Sequence, residues 1–108
     1  KEKILNAPFR APLIIIVIAS VKEDSIIPEI EQILSAGAAA QNILIASHSL
    51  GYSAIWRTGF LAFNKEVSLS FGLDKSDIVV GYLYIGSTDK KLDAPEISNI
   101  NDFVYKWS

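Results

Sequence analysis

The chain has 108 residues, 50% of them hydrophobic and 20% charged, with a formal net charge of -2 at neutral pH. That size suits one domain, and that balance suits a packed core rather than disorder. The slight acidity gives no electrostatic footprint for nucleic acid or an anionic membrane surface, and the absence of cysteine removes disulfides, thiolate metal sites and a cysteine nucleophile.

Residues 13–19, LIIIVIA, form a continuous β-branched run after Pro12, which predicts a strand covered on both faces. The surrounding apolar stretch, 11–19, is far short of the ~20 residues that span a bilayer, and no signal-peptide pattern opens the chain. A cytoplasmic protein is expected. A polar connection over 21–28 ends at Pro28, a residue suited to the first turn of a helix.

From Glu29 to Leu50 the pattern is helical. Ile30, Ile33, Leu34, Gly37, Ala40, Gln41 and Leu44 recur at spacings of three and four, which predicts one buried face. Glu29 and Glu31 suit the positive end of the helix dipole, and Gly51 suits a C-terminal cap. Within this helix SAGAAA (35–40) buries little area of its own. Such residues let another element approach closely, which points to a tightly packed central helix, with a subunit interface as one place for it.

Residues 52–56, YSAIW, read as a short strand ending in an Arg57–Thr58–Gly59 turn. Asn64 is a candidate N-cap for a short helix, KEVSLSF, closed by Gly72. DIVVGYLYIG (77–86) is the second strong strand; a glycine inside a strand, here Gly81, marks a bulge or a close approach. The polar tail carries FVYKW (103–107), too apolar to stand in water, so it is expected to dock on something. The element order predicts mixed α and β structure with few strands.

The chemistry of these residues is sparse. His48 is the one histidine, so the chain alone builds no multi-histidine metal site and no nucleophilic triad; near a helix end it is expected to be structural or at the surface. GYSAIWRTG is neither a phosphate loop nor a dinucleotide fingerprint. Glu29 with Glu31, Asp74 with Asp77, Lys1–Glu2–Lys3 and Lys90–Lys91 read as solvated surface.

Taken together, NAPFRAPLIIIVIA (6–19), EQILSAGAAAQNILIASHSLGYSAIWRTG (31–59) and DIVVGYLYIGS (77–87) resemble the C-terminal half of the flavin-dependent nitroreductase family, in particular its short bacterial NAD(P)H members. FVYKW resembles that family's C-terminal aromatic tail. The resemblance implies an α+β sandwich with a mainly antiparallel sheet, incomplete here because the N-terminal part is missing. It implies FMN bound at a homodimer interface, and hydride equivalents passed from NADH or NADPH to nitroaromatics, quinones or similar acceptors.

By that resemblance Trp56, Arg57, Thr58 and Gly59 face FMN, with the N–H groups near Thr58 and Gly59 approaching the electron-accepting edge of the ring, where fixed donors stabilise added charge. Ala46, Ser47, His48, Ser49, Leu50 and Gly51 correspond to a stretch associated with the nicotinamide dinucleotide. Arg57 has two open roles, at the flavin or its phosphate, or at the surface. Trp56 has two as well, stacking or core. No catalytic residue is singled out and no metal is implied. The family's arginine-rich N-terminal motif has no counterpart in this chain, and there is no methionine, so 1–108 is expected to be the C-terminal portion of one domain that needs its missing N-terminal segment to hold FMN. A non-catalytic flavin-binding or dimerisation module on the same scaffold is the alternative, and a related flavin enzyme with another substrate is a third reading.

Overall fold

A computed structural model of the chain describes residues 6–90 and 93–108. Lys1–Glu2–Lys3 and Lys91, expected at the surface, lie outside the described residues. The elements are β1 (Leu13–Ser20), α1 (Glu29–Ser49), β2 (Ser53–Arg57), α2 (Phe60–Phe63), α3 (Lys65–Ser70) and β3 (Asp77–Gly86). Single 3-10 turns precede β1, at Ala7–Phe9, and lie in the tail, at Ile100–Asp102.

The sheet is three-stranded and antiparallel, ordered β1–β3–β2. β3 is central because it is the longest and most deeply buried strand, and its alternation serves two different layers. Ile15 and Val17 of β1, Ala54 and Trp56 of β2, and Leu83 and Ile85 of β3 point toward α1. On that side Val17, Leu83 and Ala40 are buried, with Ala36, Ile43, Leu44 and Trp56 packed around them. On the opposite face Val79, Tyr82 and Ala62 are buried, flanked by Ile14, Ile16, Leu61 and Tyr84.

β1 was expected to be covered on both faces. Val17 and Ala19 are buried, but Leu13 is half exposed and Ile14, Ile15 and Ile16 are only half buried. The short α2 and α3 helices cover too little of the far face to do more.

The helix forms where its periodicity predicts, but its buried face is rotated from the expected one. Ile33, Gly37, Ala40 and Leu44 turn toward the sheet, joined by Ala36, Ile43 and Ser47, whereas Ile30, Leu34 and Gln41 point outward. Ile30 is 59% and Leu34 63% exposed.

Both predicted glycine caps are present. Gly51 has φ +84, and the Tyr52 N–H closes on the Ser47 carbonyl at 2.9 Å; Gly72 has φ +76, with the Leu73 N–H on the Ser68 carbonyl at 3.3 Å. These six-to-one bonds satisfy carbonyls that the helix ends would otherwise leave open. Asn64 caps α3 through its side chain, accepting from the Val67 N–H at 3.1 Å. The α2 turn between Gly59 and Asn64 was not anticipated. The FVYKW tail does not dock on the described residues: Tyr105 is 84% and Trp107 100% exposed.

Candidate functional site

β2 delivers its side chains alternately to the two faces of the sheet, and this decides what each residue of Trp56–Arg57–Thr58–Gly59 can touch. Trp56 turns toward α1. Its indole Nε1–H donates to the Val80 carbonyl at 3.2 Å, so ring and donor are both engaged in the core.

Arg57, one residue later, points to the other face. Together with Thr58 and Gly59 it lines a cavity of about 330 Å³, closed by Arg10, Phe60, Leu61, Tyr82 and Tyr84. A smaller recess of about 190 Å³ adjoins it, between Arg10, Ile55, Arg57 and Tyr84. The lining is aromatic and cationic, with no carboxylate among the described residues. Tyr82 and Tyr84 reach it because they stand two apart on β3, opposite Arg57 and Ile55 in the β2 register. Arg10 enters from the segment before β1. Arg10, Tyr82 and Tyr84 do not stand out as site residues in the sequence; the i, i+2 spacing of the tyrosines is the signal that marks two of them.

The turn itself requires glycine. Gly59 has φ 71 and ψ -170, a combination confined essentially to glycine, and no atom lies within 4 Å of where a Cβ would stand. Its carbonyl accepts from the Ala62 N–H at 3.2 Å, which starts α2 and leaves the exposed Thr58 and Gly59 N–H groups with no partner among the described residues.

The second predicted stretch, Ala46–Gly51, is the last turn and cap of α1, on the opposite face of the sheet and at the other end of β2. Ala46, Ser47 and Leu50 line an apolar groove of about 520 Å³ with Leu13, Ile15, Ile43, Tyr52 and Ile85. The Ser47 and Ser49 hydroxyls donate back to the helix carbonyls of Ile43 and Ile45, at 2.8 and 3.0 Å. His48 and Ser49 are exposed. A helix C-terminus carries negative partial charge and these hydroxyl protons are already used, so the segment is poorly suited to a phosphate. Within one chain it does not join the Arg57 cavity.

Among the described residues no group of three or more His, Asp or Glu side chains could hold a metal ion, and no helix is long and apolar enough to cross a membrane.

Comparison with known proteins fixes the ancestry. Residues 1–87 match the model of the Nitroreductase family. The chain belongs to that family. YdjA of Escherichia coli strain K12, provisionally named an NAD(P)H nitroreductase, is 42% identical over 90 residues, covering 83% of this chain and 49% of YdjA. A Haemophilus influenzae protein with the same provisional activity in its name is 28% identical over 109 residues, covering 96% of this chain and 59% of its own length. This family member therefore spans about half the length of the curated relatives it matches. Its fold superposes on a nitroreductase-like protein from Bacillus cereus with a TM-score of 0.82 at 21% identity, covering 98% of this chain and 59% of the other. A nitroreductase family protein from Streptococcus pneumoniae TIGR4 gives 0.62 at 20% identity, over 82% and 42% of the two chains. The nitroreductase-like α+β fold and a nitroreductase-like oxidoreductase ancestry follow.

Proposed function

We propose that this chain is the C-terminal portion of an FMN-dependent NAD(P)H oxidoreductase of the cytoplasm, working as a homodimer on nitroaromatic, quinone or similar acceptors. The observation that carries the reading is the Arg57–Thr58–Gly59 turn. It presents two open N–H donors and a guanidinium beside an aromatic-walled cavity, on a backbone that only glycine adopts.

These residues fit a flavin. The clear space over Gly59 admits a ring edge that a Cβ would obstruct. Thr58 and Gly59 would offer N–H donors to that edge, and Arg57 a fixed positive charge. The cavity, about 330 Å³, is at the small end for ligand sites, which suits one part of a cofactor whose remaining contacts come from protein outside these 108 residues. When bound, FMN supplies the hydride and electron transfer. The protein's part is to orient the ring, hold donors where negative charge develops and keep water from the aromatic face. For Ala46–Gly51, we propose at most a contact with the nicotinamide end of NAD(P)H, through the apolar groove.

The test uses the intact protein. It is expected to purify yellow or take up added FMN, and NADH or NADPH should bleach it. Gly59→Val, strained and occluding, should weaken FMN binding more than tenfold by fluorescence titration while the far-UV circular dichroism stays native. A protein that takes up no FMN would overturn the reading; unchanged uptake by Gly59→Val would remove the turn from it.

A further inference from the structure

Trp56 and Arg57 are adjacent in sequence, yet their side chains leave the sheet on opposite faces. Trp56 stands opposite Leu83 across the β2–β3 ladder, and its ring leans diagonally over Gly81. A Cβ on Gly81 would lie 2.5 Å from the indole Cδ1, and closer still to its Nε1, so glycine is the residue this contact admits.

The carbonyl that receives the indole N–H belongs to Val80. Val80 is also the residue passed over in the β1–β3 pairing, between Val17↔Gly81 and Ile18↔Val79. The bulge turns both Val80 and Gly81 toward the α1 side and increases the local bend. On the far edge of the ring, Cη2 lies 3.9 Å from where a Cβ on Gly37 would stand. The indole is thus held between a bulged, side-chain-free point on β3 and a side-chain-free point on α1.

This fit exists in one register only. A one-residue slip of β2 would throw the ring onto the tyrosine face. A two-residue slip would set it against Leu83 or Ile85, or beyond the end of the ladder. Between Ile78 and Ile85, Gly81 is the one position of β3 without a side chain. Because Arg57, Thr58 and Gly59 follow directly, the register of Trp56 sets how far the turn extends past Tyr82.

We propose that Trp56 and Gly81 form a steric lock that positions the Arg57–Thr58–Gly59 turn, so that the tryptophan serves the cavity from behind the sheet rather than by touching its ligand. The ligand named in the test rests on the flavin reading above; the lock itself does not. Trp56 is accordingly a positioning residue.

Two variants of the intact protein test it, Gly81→Ala and Trp56→Leu, with hydrogen–deuterium exchange over 53–60, exchange over α1, and FMN titration. Trp56→Leu removes the ring without introducing a clash, so it remains informative if Gly81→Ala fails to fold. The expected result is exchange over 53–57, the residues paired with β3, at least fivefold faster than in wild type, with α1 unchanged, and FMN affinity reduced at least tenfold. Combining Trp56→Leu with Gly81→Ala should recover melting temperature relative to Gly81→Ala without recovering FMN affinity. Wild-type exchange over 53–57 in Trp56→Leu would overturn the lock and leave the flavin reading standing. Faster exchange in the variant, together with a wild-type protein that binds no FMN, would overturn the flavin reading and leave the lock standing.

Discussion

Tyr82 shows how a residue can belong to the cavity wall and to the core at once. Its ring is buried against Val79 and Ala62, and its hydroxyl donates a long bond, 3.4 Å, to the Leu61 carbonyl. Burial, and secondarily the Tyr84 phenol, push its ionisation above the ordinary value of 10.0. The sign follows from linkage: the unfolded chain releases this proton first, so the stabilisation is complete below about pH 10 and is lost as pH rises toward the folded value. Tyr82→Phe should therefore flatten the fall in melting temperature above pH 10, at a cost below about 1 kcal/mol at neutral pH for the weak hydrogen bond. Thermal melts of both proteins between pH 8 and pH 11 read this directly; parallel curves would contradict it. The opposite fates of Trp56 and Arg57 belong to the same scale. Strand alternation was available from the sequence, but which face carried the helix was not, because that depends on a sheet partner 24 or more residues away.

At the scale of elements, helix ends and strand cores were legible because their causes are local. Gly51, Gly72 and Asn64 act within a few residues of themselves, through a left-handed φ or a side-chain oxygen. Gly51→Ala places a Cβ in that left-handed conformation and should cost about 1 kcal/mol; Asn64→Ala, losing one cap bond, should cost about as much. Chemical denaturation of the intact protein should show both losses as additive, since the two caps share no partner. The rotation of α1 was not local. Its apolar residues are spread so widely that Ile30 and Leu34 compete with Ala36, Ile43 and Leu44 for the sheet, and the side that faces the sheet is the one on which Trp56 packs. Gly37 receives the ring edge, and Ala36 and Ala40 pack in the same cluster. Half of the SAGAAA puzzle is thereby answered inside the chain: the small residues make room for a tryptophan. Ser35, Ala38 and Ala39 remain outward.

Across the whole molecule, large apolar side chains stand exposed on α1, on the short helices and in the tail, and exposed apolar patches mark contact surfaces. The radius of gyration is 17.0 Å, against about 13 Å for a compact chain of equal length. Ile30, Leu34 and Ile45, at 59%, 63% and 54% exposure, lie on the side of α1 away from the sheet, interleaved with Ala38 and Ala39. The hydrophobic side chains there offer area to bury while the alanines permit close approach, a combination suited to another helix. Under the homodimer reading that helix is the same one from a second copy, because a two-fold contact needs a single self-complementary patch and α1 offers one. Leu34→Glu places one charge in each copy, so a two-fold pairing brings two like charges into a desolvated contact. The intact protein should shift from dimer to monomer by light scattering, with FMN uptake falling in step. Glu66→Lys, on exposed α3, changes charge without touching this face and should leave the mass unchanged. A dimer that survives Leu34→Glu would move the interface off α1 and leave its apolar face to be covered by the part of the protein outside these 108 residues.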